Sequence, residues 1–419
     1  MASNDAAASA PDEKPAPSKG SLFVVFLTVL IDLIGFGLFI PLLPFYGEKF
    51  GGDTVLAGAL VGTYSIVQLF CLPLLGRLSD RHGRRPILLL GLGGSCAAYA
   101  LFAVGTSVES LTLMFAARAL AGMFGATIST AQAYVADVTT PETRAKGMGM
   151  IGAAFGLGFT FGPPIGGFLS EWLGEASPGW FAAGLSGFAF LVGWFKLPES
   201  HHPDPSPESK DDADSRTFSF SSATDVIKDG RRGPLLVLFL FQTWAFANLE
   251  AMFSLLGKAR LEFDKSDMGL VFLFVGLVVA MVQGGMIHRL TKKMGERKIF
   301  SGASLGLAIG FMGVGFASTT TLFLLFGAVI ALCYGMSSPT LNSLISRNTP
   351  AARQGATFGT AAVGAALGRA IGHSSSGALF KMDPSVPFVA AGLGMLFVVA
   401  LFARYRRRYA TDLVDESTS

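Results

Sequence analysis

The stretch FLTVLIDLIGFGLFIPLLP, residues 26–44, sets one carboxylate, Asp32, inside an otherwise apolar run. A helix needs about 20 such residues to cross the hydrocarbon core of a bilayer. A charge at the centre of that helix costs about 2.5–3.5 kcal/mol even on insertion scales. The run therefore reads as a membrane span, and Asp32 as a residue kept for some purpose other than insertion. The whole chain agrees. Of its 419 residues 51% are hydrophobic and 15% charged, with a mean hydropathy of +0.52, the balance of an integral membrane protein.

Working outward, twelve apolar runs appear, at residues 21–44, 55–75, 86–105, 110–135, 147–170, 179–197, 234–257, 267–288, 299–317, 321–345, 355–380 and 387–404. The organisation expected is a disordered tail over 1–20, a six-helix bundle over 21–197, a linker over 198–233, a second bundle over 234–405 and a tail over 406–419. The linker is polar and proline-bearing, PESHHPDPSPESKDDADSRTFSFSSATDVIKDGRRG. No small-residue cleavage site follows the first apolar run, which is expected to stay as a helix. Cys71, Cys96 and Cys333 lie inside apolar runs without metal-ligand spacing and read as packing residues.

Lys and Arg orient the bundle. Assigning both tails and the even-numbered loops to one face gives that face 25 of the 32, against Lys49, Lys258, Arg260, Lys265 and Lys381 on the other. The positive-inside rule then puts both termini and the linker in the cytoplasm of a cell that carries the protein in its inner membrane. The terminal RYRRRY, 404–409, reads as a stop-transfer anchor, or less directly as a lipid-binding site.

The halves echo each other. TPETRAKG at 140–147 recurs as TPAARQG at 349–355, and SDRHGRR at 79–85 as TKKMGER at 291–297. GFTFGPPIGGFL at 158–169 recurs as GRAIGHSSSGALF at 368–380, matching Gly158, Gly162 and Gly167 with Gly368, Gly372 and Gly377. Parallel repeats of this kind place a binding site near the midplane between two rocking halves. The fold expected is all-α, twelve transmembrane helices in two pseudo-symmetric bundles.

Four motifs carry a family resemblance. GRLSDRHGRRP, Gly76 to Pro86, resembles the loop between helices 2 and 3 of the major facilitator superfamily. GFTFGPPIGG, with Gly158, Gly162, Pro163, Gly166 and Gly167, resembles the fifth-helix motif of its drug/proton antiporters. ARALAGMFGA sets Arg118 and Gly122 where those antiporters carry an arginine and a glycine, and LIDLIGFGLFIPLLP matches their first helix. The branch it resembles most contains the tetracycline-efflux pumps. One departure is Ala98, in LGGSCAAY (92–99), where those pumps carry an acid in helix 3. It argues against tetracycline as substrate.

Gly76 and Gly83 allow a tight turn and close helix approach. Asp80 is an anion suited to a helix N-terminus. The resemblance implies that this is the start of helix 11, that Arg84 pairs with Asp137, and that Asp80, Arg81, Arg84 and Arg85 belong to a gating loop, closed when the cavity faces outward. The alternative is a loop whose charges only hold topology. The resemblance likewise makes the kinked fifth helix a seal against proton leak, where plain small-residue packing is the alternative.

Asp32 and Arg118 in the first half, with Glu250 and Arg369 in the second, make a balanced set of buried charges. Asp32 reads as a proton-coupling residue with Arg118 and Glu250, or else as a fixed partner of Arg118 or a helix-fixing hydrogen-bond acceptor. Glu250 is an entry carboxylate or a selector of cations, or else a fixed partner of Arg369. His373, four residues after Arg369, titrates or simply packs. Gln68, Tyr134, Trp244, Asn248, Gln283, Tyr334 and Asn342 complete the candidates for a polar cavity.

No phosphate-binding loop, HExxH or nucleophile–base pair appears, so no enzyme activity, metal or cofactor is expected, and no nucleic acid partner. The function expected is proton-coupled antiport exporting lipophilic or drug-like molecules. Its partners are the small substrate, protons and the lipid bilayer, and the protein works as a monomer. A facilitator or importer on the same fold is the alternative. A non-transporting sensor or scaffold is the alternative of another class.

Overall fold

The apolar runs fold as helices, and prolines and glycines decide where each ends. The computed structural model describes residues 19–200, 220–350 and 353–409. Span 1 is Lys19–Phe39, span 2 Thr54–His82, span 3 Arg84–Ser107, span 5 Pro141–Trp172 and span 6 Ser177–Lys196. Span 4 is broken into Leu111–Met123 and Thr127–Val138. In the second half, span 7 is Arg232–Leu261, span 9 Glu296–Gly315, span 10 Thr320–Arg347, span 11 Gln354–Met382 and span 12 Val386–Arg408. Span 8 is Lys265–Met281 and Ile287–Met294, joined by a π turn over Val282–Met286. Eleven of these twelve are apolar enough to cross a membrane. Span 11 has the length but is diluted by glycines, serines, Arg369 and His373.

Several expected boundaries shift. The run 21–44 does not stay one helix, because Pro41 lacks an N–H and disfavours helical geometry at the residue before it. Leu43–Gly51 is a separate helix with Pro44 in its first turn. The 198–233 linker is not all linker: Phe220–Lys228 is helical, its Val226 is buried, and span 7 begins at Arg232. Span 12 likewise continues through Arg406–Arg408, residues assigned to the C-terminal tail. The N-tail to residue 18, linker residues 201–219 and residues 410–419 lie outside the described part.

Both Lys19 and Arg408 lie on one face, here the terminal face; the opposite face is distal. At the terminal face spans 2 and 3 turn at Gly83 (φ 97°) and spans 8 and 9 at Gly295 (φ 78°), the glycines of the repeated loop. A positive φ is strained for any residue with a Cβ.

The glycine repeat is read out in packing. Gly158 and Gly162 lie against Leu33 and Gly37 of span 1, and their counterparts Gly368 and Gly372 lie against Leu240, Trp244 and Ala247 of span 7. Gly167 meets Lys265 at the start of span 8, and its counterpart Gly377 meets Thr54 at the start of span 2. The first two positions therefore build each half, and the third joins the halves. Outward-facing Phe188, Leu191, Trp194 and Phe195 are exposed, as lipid contact requires.

Candidate functional site

Among the described residues, the halves pack closely toward the distal face. Span 2 seals against span 11, where Gly58 and Gly62 let it approach Gly377 and Ser374, and span 5 seals against span 8, where Gly269 approaches Pro164. Charges crown the seam. Lys258 Nζ donates to Glu48 Oε2 at 2.7 Å, Lys381 Nζ to Asp53 Oδ2 at 2.9 Å and Lys265 Nζ to Glu175 Oε2 at 2.5 Å. Ser266 donates to Glu171 beside them. Burial pushes Glu175 up, but hydrogen bonds from Lys265 and Lys49 outweigh it and hold the carboxyl below its usual range. The hydrogen bond from Lys381, with one from the Val55 N–H, does the same for Asp53.

Toward the terminal face the halves part. Positions Gly149, Gly152 and Gly156 of span 5, and Gly284 and Gly285 of span 8, face open space. Between the halves lies a cavity of about 700 Å³, open to the terminal face. Its wall includes Asp32, Gln68, Arg118, Glu250, Gln283, Tyr334, Asn342 and Arg369. Phenylalanines from both halves, among them Phe36, Phe155, Phe159, Phe239, Phe246 and Phe253, make it mostly apolar.

Among the described residues, Asp32 and Arg118 form no ion pair. Ser95 Oγ of span 3 donates to Asp32 Oδ1 at 3.2 Å. Arg118 lies under the Tyr64 ring, 4.9 Å from its centroid, and its buried Nε has no partner among those residues. Beside it, the break in span 4 frees the Gly125 carbonyl, which accepts from Gln68 Nε2 at 2.7 Å. Nor does Glu250 pair with Arg369. Arg369 Nη2 donates to Gln68 Oε1 across the halves at 3.5 Å, while Glu250 Oε2 lies 3.2 Å from His373 Nε2. His373 Nδ1 lies 3.1 Å from Ser65 Oγ of span 2.

Four cavity candidates do not line the wall, each for a stated reason. Tyr134 is buried and donates to the Pro198 carbonyl at 3.0 Å. Asn248 is buried and donates to the Trp244 carbonyl one turn back at 2.9 Å. Trp244 packs into the half itself, against Gly394 and Phe241. His373 is 4% exposed, enclosed between spans 2 and 7. Tyr64, Ser95, Ser129 and Gln132 line the wall and were not foreseen. Tyr64 stands four residues before Gln68 on one helical face, a spacing visible in the sequence.

In the loop between spans 2 and 3, Arg84 is bonded twice, from Nε to Asp137 Oδ2 at 3.1 Å and from Nη1 to Asp80 Oδ1 at 2.5 Å. Asp80 thus engages its own loop and not the start of span 11. Arg85 donates to the Trp194 carbonyl at 2.7 Å, and Arg81 is exposed. The position of Gly76 faces open space. The anion at a helix N-terminus is instead Glu199, unforeseen, whose carboxylate accepts from the Arg84 N–H at 2.8 Å and the Arg85 N–H at 3.2 Å.

Comparison with known proteins accords with this architecture. The family model described as Major Facilitator Superfamily matches residues 25–373 and 285–417. The tetracycline resistance protein, class E, of Escherichia coli is 34% identical over 346 residues, 80% of this chain and 82% of that protein. Major facilitator superfamily domain-containing protein 10 of Bos taurus is 31% identical over 411 residues, 86% of this chain and 87% of that protein. The crystal structure of the human organic anion transporter MFSD10 superposes with a TM-score of 0.70 at 27% identity, covering 92% of this chain and 99% of that one. The chain belongs to the major facilitator superfamily: it is a multi-pass membrane transporter of small molecules, not an enzyme, and it resembles the tetracycline-efflux branch.

Proposed function

We propose that the protein is a proton-coupled antiporter that exports lipophilic small molecules, working as a monomer with both termini in the cytoplasm. On this reading the cavity faces the cytoplasm, and rocking of the halves exchanges the distal seal for one at the terminal face. Asp32 exchanges proton for substrate. The observation that carries this reading is its placement: a carboxylate in the cavity wall, held by the Ser95 hydroxyl and by no cation among the described residues. A carboxylate so placed has a charge that substrate and proton can compete for. Arg118 and Glu250 belong to the same coupling set. In the fifth-helix motif, Pro163 and Pro164 lie where spans 5 and 8 meet, which supports the reading of that motif as a seal. The test is Asp32→Asn in proteoliposomes carrying a pH gradient. Insertion should be intact and gradient-driven accumulation abolished, with substrate exchange retained in the absence of a gradient. Accumulation at the wild-type rate refutes the coupling role.

A second reading concerns charge class. Arg118 and Arg369 both lie near Tyr64, and the human relative is an organic anion transporter. A carboxylate-bearing substrate seated between these guanidiniums suits that arrangement. Running one anionic, one neutral and one cationic compound through the same vesicles separates it from a neutral or cationic cargo.

A further inference from the structure

We infer that His373 and Glu250 form a second proton site, at the seam between the halves, and that a proton bound there favours closure of the distal end. The inference rests on the proton-coupled reading above and shares Glu250 with it, adding His373 and Ser65. Three side chains from three spans and both halves are in line: Glu250 of span 7, His373 of span 11 and Ser65 of span 2, at 3.2 Å and 3.1 Å. They sit at the inner edge of the seal. Toward the distal face, Ser374 and Gly377 are in close contact with Gly62 and Gly58. On the other side, Glu250 lines the cavity.

The ring's environment differs between the two arrangements of the halves. With the distal end closed, the imidazole is enclosed, and both nitrogens have partners from different spans. Parting spans 2 and 11 removes Ser65 and opens the ring to the distal solution, while Glu250 stays with it in the second half. A protonated ring donates to the Glu250 carboxylate and to the Ser65 oxygen, and the enclosed pair is neutral overall. A neutral ring leaves the Glu250 carboxylate, partly buried in the cavity wall, with no ion-pair partner at hydrogen-bond distance, and holding it at the closed seam costs more. Among the described residues, the other charged or titratable groups near the pair are Arg369 on the same helix, which lies on Gln68, and Tyr334 of span 10. Arg369 tempers the cost of the neutral-ring state without removing it, since it stands one turn away and forms no ion pair with Glu250. The proton is thus taken up from the distal side when the halves are parted there, retained on closure, and given up toward the cavity through Glu250.

Because proton binding and conformation are linked, the sign follows: lower pH favours the distally closed state. The experiment measures the distally open fraction by spin-label distances across the distal face, between pH 5 and 8, with no substrate or gradient present. The open fraction should rise with pH across that window, up to about tenfold per unit for one linked proton. His373→Gln should flatten the profile, and Asp32→Asn should leave it in place. Ser65→Ala, which keeps the titrating ring and removes one partner present only on closure, should raise the open fraction at every pH. A profile unchanged in His373→Gln overturns the inference. If that profile is instead lost in Asp32→Asn, the seam site falls while the Asp32 reading stands. Should His373→Gln fail to fold, the Ser65→Ala variant decides: an unchanged open fraction overturns the inference.

Discussion

Removing the charge of Lys265 should open the distal end by a calculable amount. Lys265 is the most enclosed lysine of the distal rim: its side chain is 18% exposed and that of its partner Glu175 26%, whereas Lys258 and Glu48 are 50% and 36% exposed. Exposed ion pairs contribute about 0.2–1 kcal/mol, and this one belongs near 1 kcal/mol. The pair exists only while the halves touch, so its loss is a differential term and shifts the conformational equilibrium in full. Lys265→Gln should therefore multiply the open-to-closed ratio about fivefold. Lys265→Glu, which sets a carboxylate beside Glu171 and Glu175, should multiply it by about thirty for about 2 kcal/mol. Spin labels on the exposed distal positions Val108 and Phe316, one per half, report the ratio once Cys71, Cys96 and Cys333 are replaced. The effect should shrink in high salt, since exposed charges are screened. An unchanged distance distribution in Lys265→Glu at low ionic strength refutes the role of the rim in closure.

Two further outcomes follow from the same structure. A Cβ on Gly162 stands 2.9 Å from the backbone of Gly37, whereas one on Gly152 meets nothing within 4 Å. Gly162→Ala should destabilise, by about 1–3 kcal/mol for overpacking, and Gly152→Ala should stabilise by about 0.5–1 kcal/mol through helix propensity. Thermal unfolding in detergent showing the same sign for both sinks the packing account. The rim also has its own pH response. Glu175 and Asp53 are held below the ordinary carboxylate range, so their ion pairs persist from neutral pH down past that range and break only as pH falls through the lowered values. Acid opening of the distal end below about pH 4 should be lost in Lys265→Gln combined with Lys381→Gln. A response between pH 5 and 8 that disappears in this same double variant contradicts the assignment.

Much of this was legible in the sequence, and what was not has a common cause. Apolar length and the glycine repeat specify spans and their pairing, because helix contact in a bilayer depends on small residues at fixed spacing. Charges in spans point to a cavity because lipid does not tolerate them, which is how Asp32, Arg118, Glu250 and Arg369 come to share one wall. Polar but uncharged residues carry no such signal. Asn248 donates to the Trp244 carbonyl one turn back, and Tyr134 reaches the Pro198 carbonyl. A core position therefore accepts them as readily as a cavity wall does. His373 and Glu199 were opaque for another reason. Their partners lie 308 and 115 residues away in the chain, and only the arrangement of spans brings them together.

The five cations on the distal face run against the bias that orients membrane chains, and each is held by an acid. Lys49 and Lys265 share Glu175, Lys258 has Glu48, Lys381 has Asp53, and Arg260 has Asp383 at 3.8 Å. The three pairs that cross the halves take every lysine from the second half and every acid from the first. Complementary signs draw the distal ends together. The terminal face is built the opposite way: loops of both halves are basic, with Arg77, Arg81 and Arg85 in the first half and Arg289, Lys292, Lys293 and Lys298 in the second. Like charges resist closure there within a screening length of about 10 Å at 0.1 M salt. The two ends thus bias the empty protein in one direction, distally closed and open at the terminal face. Closing the terminal end then needs opposing contacts, and we propose that Asp80 supplies one once it leaves Arg84. Its present partner, Arg84, keeps Asp137 when Asp80 leaves, so the exchange strands no charge. Substrate in the cavity has to supply the remaining difference.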